Sequence, residues 1–327
     1  GPRLPLPDEI SKEITILNFP LPTREELSDI LTFVINSALE NSSSTFEIPK
    51  DMKEKLVEAA LGLTSQEAED AFSLALAKKK GDAVRTVLDQ KCQILKKEGI
   101  LEYFHPEEKM EDIGGLALLK GWLIKRKNAF SPEAREFGLP NPKGMLIVGI
   151  SGCGKSLTAK ACASNWEVPL LRFDIGRVFQ SLMGKSEESV RRAIAVAETL
   201  APCILWIDED DKGLSGVRAS GELDSGVTAR VVGTLLTWMQ EKTSPVFLAT
   251  TANDVSKLPP ELLRKGRFDE IFFVDLPDVS EREEIVRTQL RKRHRTLPDP
   301  IIKEIAQEAE VRDESGEVLP YTGAEIE

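Results

Sequence analysis

A glycine-rich segment in the middle of the chain has the residue types and the spacing of a phosphate-binding loop. From residue 149 its sequence is GISGCGKS, which fits the pattern G-x-x-x-x-G-K-[ST]. Glycines let backbone N–H groups turn toward phosphate oxygens, and the helix that follows adds partial positive charge at its N-terminus. In this pattern Lys155 reaches the β- and γ-phosphates and the Ser156 hydroxyl holds Mg²⁺. The sequence therefore predicts a site for a nucleoside triphosphate with Mg²⁺.

Two carboxylates follow the short apolar run at residues 203–207. A buried strand that ends in Asp208 and Glu209 has the Walker B arrangement. We expect Asp208 to lie beside the metal ion and Glu209 to act as the base that activates or orients the attacking water.

Three more polar residues have side chains suited to phosphoryl transfer. Asn253 follows the apolar run 246–250 and suits a sensor of the γ-phosphate; the alternative is an Asn that simply ends a strand in a turn. Arg264 and Arg267 could stabilise charge that develops on the transferred phosphoryl group. We expect both arginines at the far edge of the subunit, where they would act on a neighbour's nucleotide; the alternative is a solvated basic turn.

The elements that must position these residues alternate between two patterns. Apolar runs of strand length are separated by segments of helical periodicity, and the runs lie at 145–148, 170–173, 203–207, 246–250 and 271–274. Continuous apolar strands that alternate with helices indicate a parallel sheet covered on both faces. The predicted fold class is therefore α/β, and the first hundred residues are predicted to be mostly helical.

Two pairs of similar segments recur at the same spacing. Residues 24–27 resemble residues 282–285, and residues 64–67 resemble residues 322–325, so that 40 residues separate the paired segments in both copies. Equal spacing across two weak matches favours two tandem modules of one kind. Coincidence between two similar strand–helix junctions is the alternative.

Taken in order, these motifs resemble those of the AAA family of P-loop ATPases from about Met110 to Glu327. The resemblance includes DIGG from residue 112 and LPPELLRKGRFD from residue 258. Residues 129–135, 203–209 and 241–247 resemble more closely the AAA proteins encoded in cyanobacterial and red-lineage chloroplast genomes, in which a degenerate first module precedes an active one.

This resemblance implies Mg²⁺-dependent ATP hydrolysis in a homo-hexameric ring, with a five-stranded parallel sheet in the order 5-1-4-3-2. It also implies a role in a photosynthetic cell, around inorganic-carbon use, in the cyanobacterial cytoplasm or the chloroplast stroma. The nucleotide-binding residues that it implies are Asp112, Ile113, Gly114, Gly152, Cys153, Gly154, Lys155, Ser156, Leu157, Gly323 and Ala324, with Ser156 and Asp208 as metal ligands.

The predicted domain boundaries follow from the repeat and the resemblance together. Residues 1–20 are expected to hold a scar of tag removal and the tail of a degenerate upstream AAA module, and residues 21–100 the helical lid of that module. A linker at 101–112 leads to the ATPase core at 113–276, and a truncated C-terminal lid occupies 277–327.

Two departures from the family pattern leave the type of work open. Asp210 adds a carboxylate beside the Walker B pair, and Leu182 and Met183 stand where related unfoldases carry an aromatic pore residue. We therefore expect either an ATPase that remodels or regulates a protein partner, or an ATP-switched assembly scaffold that does little mechanical work.

Composition narrows the function classes further. The 327 residues carry a net charge of −11, which argues against bulk nucleic-acid binding, and no apolar run reaches the length of a membrane helix. Four scattered cysteines favour a reducing interior over a disulfide scaffold. Cys153, at a helix N-terminus, is either a redox switch with a lowered pKa or simply a small residue that the loop tolerates.

Overall fold

The computed structural model describes residues 21–40, 48–77, 83–96, 101–104, 106–180, 186–208, 222–312 and 318–327. The chain divides into two compact units, Gly1–Lys91 and Cys92–Glu327. In the described part of the chain, no helix combines the length and the apolar character that a membrane crossing requires.

The first unit is built from helices. They are α1 (Arg24–Glu40), α2 (Lys50–Ala60), α3 (Ser65–Ala77) and α4 (Ala83–Lys96), the last of which continues past the boundary of the unit. Their apolar faces bury Leu27, Leu56 and Phe72 almost completely. Lys91 is also buried, and its amine donates a hydrogen bond to the Leu61 carbonyl. This bond offsets part of the free energy that burial of a lysine amine costs.

The second unit is organised around a six-stranded sheet. Its strands are β1 (Leu101–Phe104), β2 (Gly144–Gly149), β3 (Leu170–Phe173), β4 (Cys203–Ile207), β5 (Val246–Ala252) and β6 (Glu270–Val274), in the spatial order β1-β3-β4-β5-β2-β6. Strands β2 to β6 are parallel, and β1 pairs with β3 in the antiparallel direction. The α/β fold and the order of the five parallel strands confirm the sequence prediction.

Strand β1 is the feature that the sequence prediction lacked. Residues 101–112 were expected to be a linker, yet four of them form an edge strand, with Leu101 opposite Phe173 and Phe104 opposite Leu170. A four-residue strand has no periodicity that distinguishes it from an extended linker, and its pairing depends on a partner about 70 residues away.

Helices cover both faces of the sheet, as predicted. On one face α8 (Ile175–Gln180), α9 (Ser186–Thr199) and α10 (Glu222–Glu241) pack on side chains such as Leu205 and Leu248. On the other, α5 (Ala117–Lys125) and α7 (Lys155–Trp166) pack on Ile147 and Phe247. The short helix α6 (Pro132–Glu136) precedes β2.

The chain after the sheet is mostly helical. It consists of α11 (Val279–Lys292), α12 (Asp299–Glu308), the antiparallel pair β7 (Glu310–Arg312) and β8 (Val318–Pro320), and α13 (Gly323–Ile326). Helix α13 starts with a reciprocal capping box, in which the Thr322 N–H donates to Glu325 over 2.7 Å and the Glu325 N–H donates back over 3.3 Å.

The same geometry occurs at the start of α3 in the first unit. There the Thr64 N–H donates to the Glu67 carboxylate over 2.8 Å, and the Glu67 N–H donates to the Thr64 hydroxyl over 3.4 Å. These are the residues that the sequence repeat pairs with Thr322 and Glu325. Matching caps are what the tandem-module prediction expects at these positions.

Candidate nucleotide-binding site

The glycine-rich loop connects the carboxyl end of β2 to the start of α7. Two of its glycines are required by close contacts: a Cβ on Gly149 would lie 1.9 Å from the Val274 carbonyl oxygen, and one on Gly152 would lie 2.8 Å from the Thr322 hydroxyl. Gly152 also has a φ of +85°, in the left-handed region that other residues rarely adopt. The loop can therefore follow this path only with glycine at both positions.

Lys155 begins α7 and is buried beneath the loop. Its ammonium donates to the carbonyl oxygens of Gly149 over 2.8 Å and Ile150 over 2.7 Å. These bonds hold the positive charge inside the turn of the loop, which is where phosphate oxygens would be cradled.

Asp208 is held by hydroxyl groups from two different elements. Its Oδ1 accepts from the Ser156 hydroxyl over 2.8 Å and from the Thr251 hydroxyl over 2.7 Å. A 190 Å³ cavity beside them is lined by these three residues together with Lys155 and Asn253. The predicted loop residues, the Walker B aspartate and the sensor asparagine therefore lie around one small polar cavity.

The residues at this cavity fit a magnesium ion. Mg²⁺ in nucleotide sites usually takes only one or two ligands from protein side chains and the rest from phosphates and water. Ser156 and Asp208 offer one hydroxyl and one carboxylate. Within the described ranges no group of three or more His, Cys, Asp or Glu could hold a metal ion by itself.

A second cavity, of 390 Å³, has the position and lining expected of a nucleotide-base site. It is bounded by loop residues, by the segment 112–116, by α11 and by α13. Helix α13 contacts the loop directly, because the Ala324 N–H donates to the Gly152 carbonyl over 3.1 Å. The predicted residues that line this cavity are Asp112, Ile113, Gly114, Gly152, Cys153, Gly154, Leu157, Gly323 and Ala324.

Sequence reasoning missed several residues at the two cavities. Thr251 was not predicted, although it lies near the end of β5, two residues before Asn253. The base cavity is also lined by Ile285, Thr288 and Gln289, which lie on one face of α11. Their spacing of three and four residues was a helical signal, but only the folded lid shows that this face turns toward the loop.

The pKa of Cys153 is raised, mainly because burial disfavours the thiolate, although the nearby Lys155 ammonium acts in the opposite direction. The predicted lowering of this pKa is therefore wrong. A protonated thiol reacts slowly with oxidants, so the geometry favours the interpretation of Cys153 as a small residue that the loop tolerates.

Arg264 and Arg267 line neither cavity. They precede β6, and the nearby Asp269 carboxylate accepts from the backbone N–H of Gly144, at the start of β2, over 3.0 Å. The phosphate-binding loop follows the opposite end of β2, a six-residue strand about 20 Å long at roughly 3.3 Å per residue. Arg264 is exposed, and the Arg267 guanidinium donates to the Glu261 carbonyl.

Four residues singled out in the sequence lie outside the described residues. They are Leu182, Met183, Glu209 and Asp210.

Comparison with known proteins gives two matches to family models. Residues 145–276 match the ATPase family associated with various cellular activities (AAA). Residues 25–98 match the second domain of SpoVK-like AAA ATPases.

Curated relatives match both units of the chain. The uncharacterised AAA domain-containing protein ycf46 of Guillardia theta is 46% identical over 292 residues, which is 88% of this chain and 56% of the relative. Those of Trieres chinensis and Pyropia yezoensis are 44% and 43% identical over 295 and 299 residues, each covering 89% of this chain and 58% of the relative. The chain thus spans little more than half the length of these relatives.

Proposed function

Because residues 145–276 belong to the AAA family of ATPases, we propose that this protein binds ATP with Mg²⁺ and hydrolyses it. The observation that carries the proposal is the convergence of Ser156 and Thr251 on one oxygen of Asp208, at the cavity that Lys155 and Asn253 also line. The cavity thus offers the groups that phosphoryl transfer needs: a hydroxyl and a carboxylate for the metal, an ammonium group and a polar amide.

Each residue has a distinct role in this proposal. Lys155 binds the β- and γ-phosphates, while Ser156 and Asp208 hold the metal, which neutralises phosphate charge when it is bound. Asn253 senses the γ-phosphate. Glu209, the residue after Asp208, serves as the base that orients and deprotonates the attacking water.

We further propose that the ATPase works as a ring, expected to be a homo-hexamer. Arg264 and Arg267 precede β6, whose start lies beside the start of β2, whereas the glycine-rich loop follows the other end of β2. They would therefore reach a phosphate only across a subunit interface. Such head-to-tail interfaces form a closed ring when the rotation between neighbouring subunits closes, and a ring of six is the form proposed here.

The proposal extends to the work that hydrolysis drives. We assign to the ring the remodelling or regulation of a protein partner, with Leu182 and Met183 as the residues that contact it. The plastid-encoded relatives support a location in the chloroplast stroma. The cyanobacterial cytoplasm as the alternative location, and a link to photosynthesis or inorganic-carbon use, belong to the proposal through the sequence resemblance alone.

Residues 21–100 are proposed to be the lid of a non-hydrolytic upstream AAA module, with the core at 113–276 and a second lid from 277. The match of residues 25–98 to a SpoVK-like AAA ATPase domain supports this, as do the matching caps at Thr64 and Thr322. The segment LPDEISKEI from residue 6 resembles LPPELLR from residue 258 followed by EI from residue 270, with Lys12 in the place of Arg264 and no residues that match 265–269. The upstream module would therefore supply no arginine to a neighbour.

Glu209→Gln tests the assigned reaction. The amide can still accept a hydrogen bond from water, but it cannot take a proton, so ATP binding should persist while turnover falls by about 100-fold or more. Calorimetric ATP titration and phosphate release would be measured on the same preparation. Wild-type turnover in Glu209→Gln would contradict the assignment of the base, and failure of the unaltered protein to bind ATP would contradict the proposed function.

A further inference from the structure

We propose that Glu281 and Glu284, on the first two turns of α11, are positioning residues for nucleotide binding. Their carboxylates hold the segment 112–116 against the lid and thereby set the width of the base cavity. This inference rests on the proposed binding of ATP, and it names two residues through which the lid controls affinity for the base.

The two carboxylates accept hydrogen bonds from consecutive backbone N–H groups. Glu284 Oε2 accepts from Gly115 over 2.8 Å, and Glu281 Oε1 accepts from Leu116 over 3.1 Å. Both donors have left-handed backbone conformations, with φ of +66° at Gly115 and +54° at Leu116. Leu116 has a Cβ and rarely adopts this conformation, so the paired carboxylates stabilise a backbone that is strained without them.

Glu281 uses its two oxygens for two different elements. Oε2 accepts from the Asp278 N–H over 3.3 Å within the capping box of α11, while Oε1 binds the segment. One side chain therefore connects the start of the lid helix to the wall of the base cavity. An amide at this position keeps one acceptor and loses the other.

Lys120, on α5, connects the start of the segment to α11. The Lys120 ammonium donates to the Ile113 carbonyl over 3.0 Å and lies 3.9 Å from the Glu284 carboxylate. At Gly114 the segment lies directly on α11, since a Cβ there would be 2.6 Å from the Ile285 backbone nitrogen. These contacts fix the distance between the two walls of the cavity.

Charge and geometry predict opposite effects for removing these carboxylates. Two negative side chains near a site for a polyanion repel it, so their neutralisation alone would strengthen ATP binding. A neutral amide instead replaces each charge-assisted hydrogen bond with a weaker one, or loses it, which loosens the segment on α11 and weakens contact with the base. The sign of the change in affinity therefore distinguishes the two roles.

The experiment compares two ligands in calorimetric titrations of Glu284→Gln and Glu281→Gln. ATP carries a base, whereas inorganic tripolyphosphate carries the same phosphates without one. We expect ATP to bind about threefold to tenfold more weakly to each variant and tripolyphosphate to bind unchanged or more tightly. At saturating ATP the kcat should stay within about twofold while KM rises.

Glu283→Gln is the matched control. It makes the same change of charge on the same helix, but Glu283 pairs with Arg287 at 3.8 Å and does not line the cavity, so ATP affinity should not fall. Glu281 also caps α11; if its variant unfolds, Glu284→Gln carries the test alone.

Unchanged or tighter ATP binding to a folded Glu284→Gln variant would overturn the inference. An equal loss for ATP and tripolyphosphate would also overturn it, because that result assigns the carboxylates a general role in lid folding. An unaltered protein that binds neither ligand would contradict the proposed function instead.

Discussion

At the residue scale, Asp208 connects the elements on which the proposed reaction depends. Its carboxylate accepts hydrogen bonds from one hydroxyl group at the start of α7 and another on β5, and these two bonds fix its orientation. A carboxylate held in place by its neighbours loses little conformational freedom when it binds a metal.

Asp208→Asn tests this role through the metal dependence of binding. The amide is neutral and has a single acceptor oxygen, so it is a weaker metal ligand than the carboxylate. We expect the factor by which Mg²⁺ raises ATP affinity to be at least about ten times smaller in Asp208→Asn than in the unaltered protein, as for the loss of one metal contact. ATP titrations with Mg²⁺ and with a chelator would measure this difference. Equal Mg²⁺ dependence in the two proteins would show that Asp208 does not serve the metal.

The residues of the proposed phosphate site are predictable from sequence because they occur in contiguous motifs. Lys155 and Ser156 follow the loop glycines directly, and Asp208 ends a recognisable strand. Gln289 and Thr288 could not be assigned in this way. They reach the base cavity only through the packing of α11 against the segment 112–116, a contact between elements about 170 residues apart.

At the element scale, β1 shows how side-chain contacts stabilise a short strand. The Phe104 ring lies edge-on to Trp206 with 5.8 Å between ring centroids, and Arg172 lies 3.5 Å from the Glu102 carboxylate across the strand pair. These tertiary contacts, and not a local pattern, decide that the segment forms a strand.

Phe104→Ala should destabilise the second unit by about 2 kcal/mol, because it removes a half-buried ring and its contact with Trp206. Urea unfolding followed by tryptophan fluorescence would measure the loss. Phe137→Ala is the control: its side chain is 83% exposed, and its effect should stay within about 0.5 kcal/mol. Equal effects of the two substitutions would show that β1 adds no stability.

Lys242, the residue after α10, makes the folding stability of the second unit depend on pH. Burial lowers the pKa of its ammonium to about 8, although Asp269 acts in the opposite direction. The amine donates to the carbonyls of Pro142, over 3.3 Å, and Val246. Above about pH 8 the folded chain holds this lysine neutral while the unfolded chain still binds the proton, so folding stability rises with pH.

Lys242→Met removes this titration. Between about pH 7 and pH 10 the unfolding free energy of the unaltered protein should gain about 2 to 3 kcal/mol relative to the variant, from the size of the pKa shift. Urea unfolding at both pH values would measure the difference. A difference that does not change with pH would mean that the amine titrates normally in the folded state.

At the scale of the whole molecule, the sequence predicts the parallel sheet because its strands are continuous apolar runs in a fixed order with helices. It predicts a second module through the repeat, and the caps at Thr64 and Thr322 have matching geometry. A ring is a property of several chains, and the main support for proposing one is that the two arginines and the chain's own glycine-rich loop lie toward opposite ends of β2.

The most direct test of the central claim mixes two inactive variants. Lys155→Ala lacks the ammonium group proposed to bind phosphate but keeps both arginines. Arg267→Ala keeps that ammonium group but lacks the arginine proposed to act on a neighbour's nucleotide. Each alone should be nearly inactive, and an equal mixture with particle mass measured in parallel should recover about a quarter of the unaltered activity, because about a quarter of the interfaces in a randomly mixed ring are intact. Absence of recovery in assembled mixed particles, or full activity of Arg267→Ala alone, would contradict an ATPase whose sites are completed by a neighbouring subunit.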